Sequence, residues 1–214
     1  ARHLLGLGHR SVAYLSPIAD GTWSVDRAVT LEQAFAESGF PGAVTSYVTP
    51  ASSPTGTLGA AQLPPAIDGN LDRLLALNRA VKALRYQVDL IMQRETVRSN
   101  LMPLMKKALA DGAGSAWVTA NDNIALECMD FLEAHGRRVP QDISVIGYDD
   151  NLEAFFRRLT TYNYNATAVV HSMLSHIIDP RPAGRRGSSG AVVEVEGFIN
   201  NRGTTARRAA ASAR

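Results

Sequence analysis

Residues 115–150 read SAWVTANDNIALECMDFLEAHGRRVPQDISVIGYDD and contain the clearest pattern of alternating strand and helix in the chain. Two short apolar runs, Ser115–Thr119 and Ile143–Tyr148, lie on either side of a segment of helical period, Asp122–His135, which Gly136 closes. Short apolar runs of this kind are typical of strands buried on both faces of a parallel sheet. A glycine directly after a helical segment is common at a helix end. The stretch therefore predicts a strand, a helix and a second, parallel strand.

The same alternation of strands and helices continues on both sides of this unit. The strands are expected at Ser11–Ser16, Ala43–Val48, Leu159–Tyr162 and Ala191–Ile199, and the helices at Val25–Ser38, Arg98–Leu109 and Ala166–Ile178. Strands that alternate with helices indicate the α/β class with a mostly parallel sheet. Residues 1–9 are typical of the last turns of a helix, so we expect the chain to begin inside an element, with further sequence before it.

Two regions do not fit this alternation. Residues 49–70 contain four prolines and a single charge, Asp68, and show no periodicity, while Leu71–Arg85 has the apolar spacing of an amphipathic helix. We therefore expect residues 49–85 to be an insertion, in which the helix covers the loop. The last residues, 206–214, are rich in alanine and arginine and are predicted to be a disordered tail because they contain no large apolar side chain.

Composition and charge exclude several classes of protein. The formal net charge is +2, and it would be −1 without three arginines of the last nine residues, so no basic nucleic-acid surface is expected. The single cysteine, Cys128, excludes an internal disulfide and is expected to be a buried apolar residue. No apolar run reaches the roughly 18 residues of a membrane span, and no signal peptide is evident. We expect a cytoplasmic protein.

The sequence lacks the motifs of the common catalytic and metal sites. It contains no GxSxG, HExxH, CxxC or phosphate-loop pattern. His171 and His176 are five positions apart on a predicted helix, a spacing that does not align them for a metal ion. Neither a metal site nor a cofactor is expected.

Polar side chains follow three of the predicted strands, where an α/β fold binds its ligands. Asn121 and Asp122 follow one strand, Asp149 and Asp150 follow another, and Trp23, Asp26 and Arg27 lie after the first strand, where the next helix begins. Carboxylates, an amide and a guanidinium can bind the hydroxyls of a polyol or nucleoside, while an aromatic ring covers its apolar face.

Each of these residues also has a purely structural interpretation. Asn121 or Asp122 can cap the helix that follows, and Asp149 and Asp150 can form a turn at the strand end. Arg27 can pair with Asp26 or Glu32 on the helix surface. Trp23 can serve for packing alone. Taken singly, the residues leave both interpretations open.

Taken in chain order, five parts of the sequence resemble one known family. They are LLGLGHRSVAYLS (residues 4–16), Arg27, residues 118–150, LTTYNYN (159–165) and GFINNRGTT (197–205). Together they resemble the periplasmic-binding-protein-like sensor domain of the lactose/galactose repressor family. The most specific part is Asn121-Asp122 followed by Gly136, Val139-Pro140 and the string DISVIGYDD at 142–150.

This resemblance implies a three-layer, parallel-sheet fold of the type I periplasmic-binding-protein-like class, mainly its C-terminal subdomain. Residues 1–165 would form that subdomain, 166–190 would cross to the N-terminal subdomain, and 191–205 would return. The effector, commonly a sugar or purine, would be bound by Arg27, Asn121 and Asp149, with Trp23 and Tyr164 as further candidates. The partners would be a small-molecule effector, a second copy in a homodimer, and DNA through an N-terminal domain outside this chain.

Some residues depart from the family pattern. Thr30 occupies a position where the family usually has glycine, three residues after the effector arginine. The number of residues between Arg27 and Asn121 is also far larger than in the lactose-repressor pattern. Trp23 and the run Tyr162-Asn163-Tyr164-Asn165 are closer to hybrid regulators that carry a gluconate-repressor-type winged helix. The type of DNA-binding domain therefore stays open.

Three functions are compared on these residues. A ligand-responsive repressor is favoured, and a sugar-binding protein of an ABC transporter, which shares the fold, is the alternative. An enzyme with Asp149 and Asp150 as an acid/base pair is disfavoured, since adjacent residues of an extended chain point to opposite sides. For the dimer, the helix Ile124–His135 with Phe131 and Leu132 is a candidate face, although the same side chains can instead belong to the core.

Overall fold

A computed structural model of the chain describes residues 1–18, 22–49, 80–82, 95, 97–178 and 193–208. The helices are α1 (Arg2–Gly6), α2 (Thr22–Glu37), α3 (residues 97–110), α4 (Asp122–Ala134), α5 (Leu152–Phe156) and α6 (Ala166–Ile178). The strands are β1 (Val12–Ser16), β2 (Val44–Val48), β3 (Ala116–Thr119), β4 (Ser144–Tyr148), β5 (Thr160–Asn163) and β6 (Phe198–Asn200).

The strands form one sheet in the order β2-β1-β3-β4-β5-β6. β1 to β5 run parallel to their neighbours, and β6 pairs with β5 in the antiparallel direction. The α/β class, the mostly parallel sheet and the central β3-α4-β4 unit are therefore confirmed. Because the strands are parallel, the loops that follow β1, β3, β4 and β5 all lie at one edge of the sheet.

Helices cover both faces of the sheet, so the domain has three layers. Tyr14 of β1 donates a hydrogen bond to the carbonyl of Ser24 in α2 at 2.8 Å, which places α2 on the Tyr14 face. Trp117 of β3 pairs in register with Ala13, next to Tyr14, and therefore points to the opposite face. There its ring packs on Phe131 of α4, with 6.3 Å between ring centroids. The central strands are buried because each face carries a helix.

One helix in the described part of the chain was not predicted. α5 spans five residues between β4 and β5, and Asn151 caps it by accepting a hydrogen bond from the backbone N–H of Ala154 at 2.8 Å. A single helical turn is too short for a helical period to be recognised in the sequence. Its large side chains are also exposed, so it lacks the apolar pattern of a core helix.

Two predictions near the C-terminus were wrong. Of the strand predicted at Ala191–Ile199, residues 193–199 are described, and among these residues 193–197 have no strand partner, while β6 at 198–200 pairs with β5. The predicted disordered tail begins too early, since residues 206–208 are ordered. The backbone N–H of Ala206 donates to Ser144 Oγ at 3.1 Å, and that of Arg208 donates to the carbonyl of Leu7 at 2.8 Å.

Of the two interpretations considered for α4, a dimer face or part of the core, the structure supports the core. Phe131 is only 5% exposed and Leu132 is fully buried, since both pack in the core of this chain. α6 has the predicted bounds, and its apolar side chains are exposed instead, among them Met173 at 60% and Ile177 at 69%. α6 therefore does not contribute its apolar face to the core described here.

Some predictions fall outside the described residues. Of the predicted insertion at 49–85, only Thr49 and residues 80–82 are described, and the latter are helical, as the helix predicted at Leu71–Arg85 requires. Residues 209–214 of the tail also lie outside. In the described part of the chain, no helix has the length and apolar character that crossing a membrane requires.

Candidate ligand-binding site

The most distinctive group at the carboxyl edge of the sheet is a guanidinium held between two aromatic rings. The Cζ atom of Arg27, in α2, lies 3.5 Å from the ring centroid of Tyr148 and 4.6 Å from that of Trp23. Arg27 also donates a hydrogen bond to the carbonyl of Ala120, which follows β3. Cation–π contacts on both faces and a hydrogen bond at one edge fix the plane of the guanidinium. The guanidinium has five N–H donors, more than the bond to Ala120 uses.

Asp149 completes this group from the end of β4. Its carboxylate lies 3.7 Å from a guanidinium nitrogen of Arg27, and the side chain is 40% exposed. Burial raises the pKa of the Asp149 carboxyl to about 6, against the effect of Arg27 and with a smaller contribution from Asp122. Asp149 has a φ of 114°, and its N–H donates to the carbonyl of Tyr162 at 3.0 Å, which fixes this unusual backbone.

Two further tyrosines extend the aromatic surface beyond Tyr148. The ring of Tyr162 lies 4.8 Å from that of Tyr148, and the ring of Tyr164 is nearly parallel to Tyr148 at 6.5 Å between centroids. Tyr164 is 45% exposed and Trp23 40%, so both ends of this row of rings are open to solvent. Exposed aromatic faces of this kind can stack on the apolar face of a ring-shaped ligand.

A cavity of about 410 Å³ extends from this edge along the sheet. Its lining includes Arg27 and Tyr148 together with apolar side chains of α2, β3 and β4, among them Leu31, Val118 and Ile146. The volume lies within the range of small-molecule sites. Of the polar and aromatic group above, Arg27, Tyr148 and Tyr162 line this cavity, whereas Trp23, Asp149 and Tyr164 lie outside its lining. The apolar walls therefore adjoin the group on the side of Arg27 and Tyr148.

The carboxylates of Asp122 and Asp150 are hydrogen-bonded to other residues of the protein, which is a structural role. Asp122 is fully buried, and its two oxygens accept hydrogen bonds from the Thr161 hydroxyl at 2.5 Å and from the backbone N–H of Asn151 at 2.8 Å. Burial raises the pKa of Asp122 despite these hydrogen bonds. For Asp150, burial also acts to raise the pKa, but hydrogen bonds from Asn163, Arg202 and Asn200 outweigh it and hold the pKa below its usual value.

Over residues 1–205, the chain matches the family model described as a periplasmic binding protein-like domain. The chain belongs to this family. No individual curated protein is significantly similar to it.

Solved structures with the same fold include several regulators. A LacI transcriptional regulator from a Rhodococcus species is 22% identical with a TM-score of 0.61, and the match covers 96% of this chain and 59% of that protein. A sugar-binding LacI-family regulator from Escherichia coli, solved with phosphate, is 19% identical with a TM-score of 0.57, and the match covers 96% of this chain and 58% of that protein. A lac repressor dimer bound to operator and an anti-inducer is 18% identical with a TM-score of 0.59, and the match covers 96% of this chain and 48% of that protein.

The resemblance to the repressor family is confirmed for the fold. This chain spans about half to three-fifths of the length of these proteins. What the complete proteins bind and how they assemble therefore does not follow from the match. α2 continues through Thr30 without interruption, so the residue that departs from the family pattern does not break the helix.

The structure brings together four of the five predicted site residues, namely Trp23, Arg27, Asp149 and Tyr164, through Tyr148. Asn121 lies next to Ala120, the residue that Arg27 contacts. Its Oδ1 atom caps α4 by accepting a hydrogen bond from the N–H of Ile124 at 3.0 Å, which is the structural alternative considered for it. The amide nitrogen of Asn121 and the second lone pair of its Oδ1 can then serve a ligand.

Sequence reasoning missed Tyr148, which lies at the centre of the group. The signal was present, since Tyr148 is the last residue of β4 and directly precedes Asp149. Its position in an apolar run made it look like part of the core. In the described part of the chain, no group of His, Cys, Asp and Glu side chains could hold a metal ion. Cys128 is buried, and burial raises the pKa of its thiol.

Proposed function

We propose that this chain is the effector-sensing domain of a bacterial transcription repressor of the lactose/galactose repressor type. The effector would be a sugar or a related small molecule, bound by Trp23, Arg27, Asn121, Asp149 and Tyr164, to which we add Tyr148. DNA would be bound by a domain outside residues 1–205, because the sensor fold occupies that range. A repressor of this kind acts in the cytoplasm, where its operator is.

The observation that carries the proposal is the Arg27 guanidinium, held between Trp23 and Tyr148 and facing Asp149. A fixed planar donor beside a carboxylate suits neighbouring hydroxyls, which both donate and accept hydrogen bonds. The regulators of the same fold favour a repressor over a transport protein. A catalytic Asp149–Asp150 pair is disfavoured, because Asp150 is bound to Asn163, Asn200 and Arg202.

The domain boundaries follow the same proposal. Residues 1–165 would form one subdomain, residues 166–190 would cross to a second subdomain, and residues 191–205 would return. The exposed apolar side chains of α6, such as Met173, Leu174 and Ile177, support this division, since a helix with such a face normally packs against another layer. Effector binding would shift the closure of the two subdomains.

A thermal-shift screen tests the proposal directly. We expect at least one member of a panel of pentoses, hexoses, uronic acids and purines to raise the Tm of this chain. At a concentration of about 100 times its Kd, a ligand adds roughly 2.7 kcal/mol to the free energy of unfolding. The same panel should release the complete protein, with its upstream sequence, from operator DNA in a mobility-shift assay. Failure of the whole panel in both assays would contradict a sugar or purine effector.

The homodimer required by this function needs a surface other than α4. We infer that α5 provides it, because Leu152, Phe155 and Phe156 are 71%, 60% and 68% exposed on a single helical turn. Three large apolar side chains so close together are unusual on the surface of a monomer. In a two-fold symmetric dimer the patch would meet its own copy, which requires no second complementary surface.

Substituting this patch with charges should dissociate the dimer. We expect Leu152→Glu combined with Phe156→Glu to raise the dimer dissociation constant at least roughly tenfold, since each substitution removes an apolar contact and places a charge in the interface. Sedimentation equilibrium of this chain measures the constant. Val29→Glu, at a site 44% exposed on α2, is the matched control and should leave it unchanged. A monomeric parent chain, or equal effects of both variants, would refute the assignment.

A further inference from the structure

The run Tyr162-Asn163-Tyr164-Asn165 divides its contacts between the ligand site and the strand that returns to the sheet. Its two tyrosines pack with Tyr148, beside Arg27. Its two asparagines have other partners. Asn163 Nδ2 donates to the Asp150 carboxylate at 2.7 Å, and Asn165 Nδ2 donates to the carbonyl of Glu196 at 3.2 Å. The run therefore joins the site to residues 196–202.

The Asp150 carboxylate is bonded both to the segment that follows β5 and to the segment around β6, where the chain pairs with the sheet again. We call residues 163–165, from the last residue of β5 to the start of α6, the exit segment, and residues 196–202, which include β6, the return segment. Besides the Asn163 of the exit segment, the Asp150 carboxylate binds Asn200 Nδ2 at 2.6 Å and the Arg202 guanidinium at 2.6 Å, both in the return segment. The Asp150 side chain is only 10% exposed, so solvent screens these bonds little.

Asn165 strengthens the same junction. Its N–H donates to Asn163 Oδ1 at 2.6 Å, and its own Oδ1 accepts from the N–H of Ala168 at 3.4 Å, in the first turn of α6. Asn165 thus connects α6 to the return segment through its bond to Glu196. The orientation at which α6 leaves the sheet is set by these polar contacts, because its apolar side chains are exposed.

Asp150 also directly follows the ligand-site residue Asp149. Both have positive φ, 114° for Asp149 and 59° for Asp150, conformations that few side chains adopt without being held. The two residues share one held turn of the backbone, so a shift of the Asp149 backbone would also move Asp150. A displacement of Asp149 by a ligand would therefore be passed to Asp150, and hinges consist of a few such positions at the ends of elements.

We propose that Asp150 is a positioning residue that locks the exit and return segments together and passes the occupancy of the ligand site to α6. The second part rests on the proposed function, because it requires a ligand at Asp149. The first part does not, since it needs only the bonds that Asp150 makes within this chain.

Hydrogen exchange measured by mass spectrometry on this 214-residue chain tests the lock. We expect Asp150→Asn to speed exchange roughly tenfold in β6 and the first turn of α6, and to leave β1 and β3 unchanged, because charge-assisted bonds to both segments are lost. Asp142→Asn is the matched control. It breaks the Arg138–Asp142 ion pair of 2.9 Å, which includes no residue of the exit or return segment, and should change exchange in neither β6 nor α6. Exchange that is unchanged in β6 and α6, or that rises equally in β1 and β3, would overturn the lock.

A second measurement separates this proposal from the proposed function. With a sugar that stabilises the parent chain in the thermal-shift panel, we expect slower exchange in the exit and return segments, and we expect Asp150→Asn to abolish that slowing. The same slowing in both proteins would overturn the transmission. If no sugar in the panel binds, the proposed effector class fails while the ligand-free experiment still decides the lock. Should Asp150→Asn not fold, Asn163→Ser removes one of the same bonds and is measured in its place.

Discussion

Replacing Gly147 with alanine is expected to destabilise the chain by about 3–5 kcal/mol, the sum of an overpacked core site and a disrupted buried carboxylate. An added Cβ at Gly147 would overlap Oδ1 of Asp122 and would lie 3.0 Å from Leu159 Cδ2. Asp122 cannot give way, because its oxygens are held by Thr161 and Asn151, and its own Cα lies only 3.2 Å from the added atom. For a domain of this size, thermal unfolding should show a Tm lower by roughly 10 °C.

Two comparisons isolate the cause of this loss. Gly6→Ala, in α1, adds a methyl group where nothing lies within 4 Å, and it should be neutral or stabilise by up to about 1 kcal/mol. In an Asp122→Ala background, the additional cost of Gly147→Ala should be much smaller, because the clashing carboxylate is gone. A Gly147→Ala protein with the parent Tm, or an equal cost in both backgrounds, would show that Asp122 is not the obstacle.

The fold could be predicted from the sequence where burial imposed a clear pattern. β3, α4 and β4 were found within one residue at each end, because both faces of the strands are covered and α4 has a strong helical period. Prediction from a local burial pattern failed for the strand expected at Ala191–Ile199. Val193 and Val195 alternate with glutamates as in a half-exposed strand, but alternation does not reveal whether a partner strand exists, and residues 193–197 have none.

The candidate site could be predicted only in part. Arg27 and Asp149 were found because polar residues just beyond parallel strands face one edge of the sheet. Tyr148 was missed, since an aromatic residue at the end of an apolar run is indistinguishable in sequence from a core residue. The requirement for glycine at position 147 could not be predicted either, because the contact that excludes a side chain comes from Asp122, 25 residues away in the chain. Such contacts between distant residues are not encoded in local periodicity.

Arg27→Ala is expected to weaken binding of any sugar that stabilises the parent chain by at least roughly 100-fold, since it removes charged hydrogen bonds to the ligand. It also leaves Asp149 without its cationic neighbour. Arg27→Lys should recover only part of this loss, because an ammonium keeps the charge but lacks the planar donors that fit between Trp23 and Tyr148. Isothermal titration calorimetry measures each affinity. Arg10→Ala is the matched control, since Arg10 also packs on a ring, that of Phe40 at 4.4 Å, but precedes β1 at the other edge of the sheet.

The dependence of this binding on pH tests the role of Asp149 in the same site. A ligand hydroxyl that donates to Asp149 requires the ionised carboxylate, and the pKa of that carboxylate is raised to about 6. Affinity should therefore be nearly constant above pH 7 and fall as the pH drops through 6, to roughly one-tenth at pH 5. Asp149→Asn should bind more weakly at pH 7 and lose this dependence, because an amide does not titrate. Affinity that rises toward acid pH, or an Arg27→Ala protein that binds like the parent, would mean that the ligand does not bridge these two side chains.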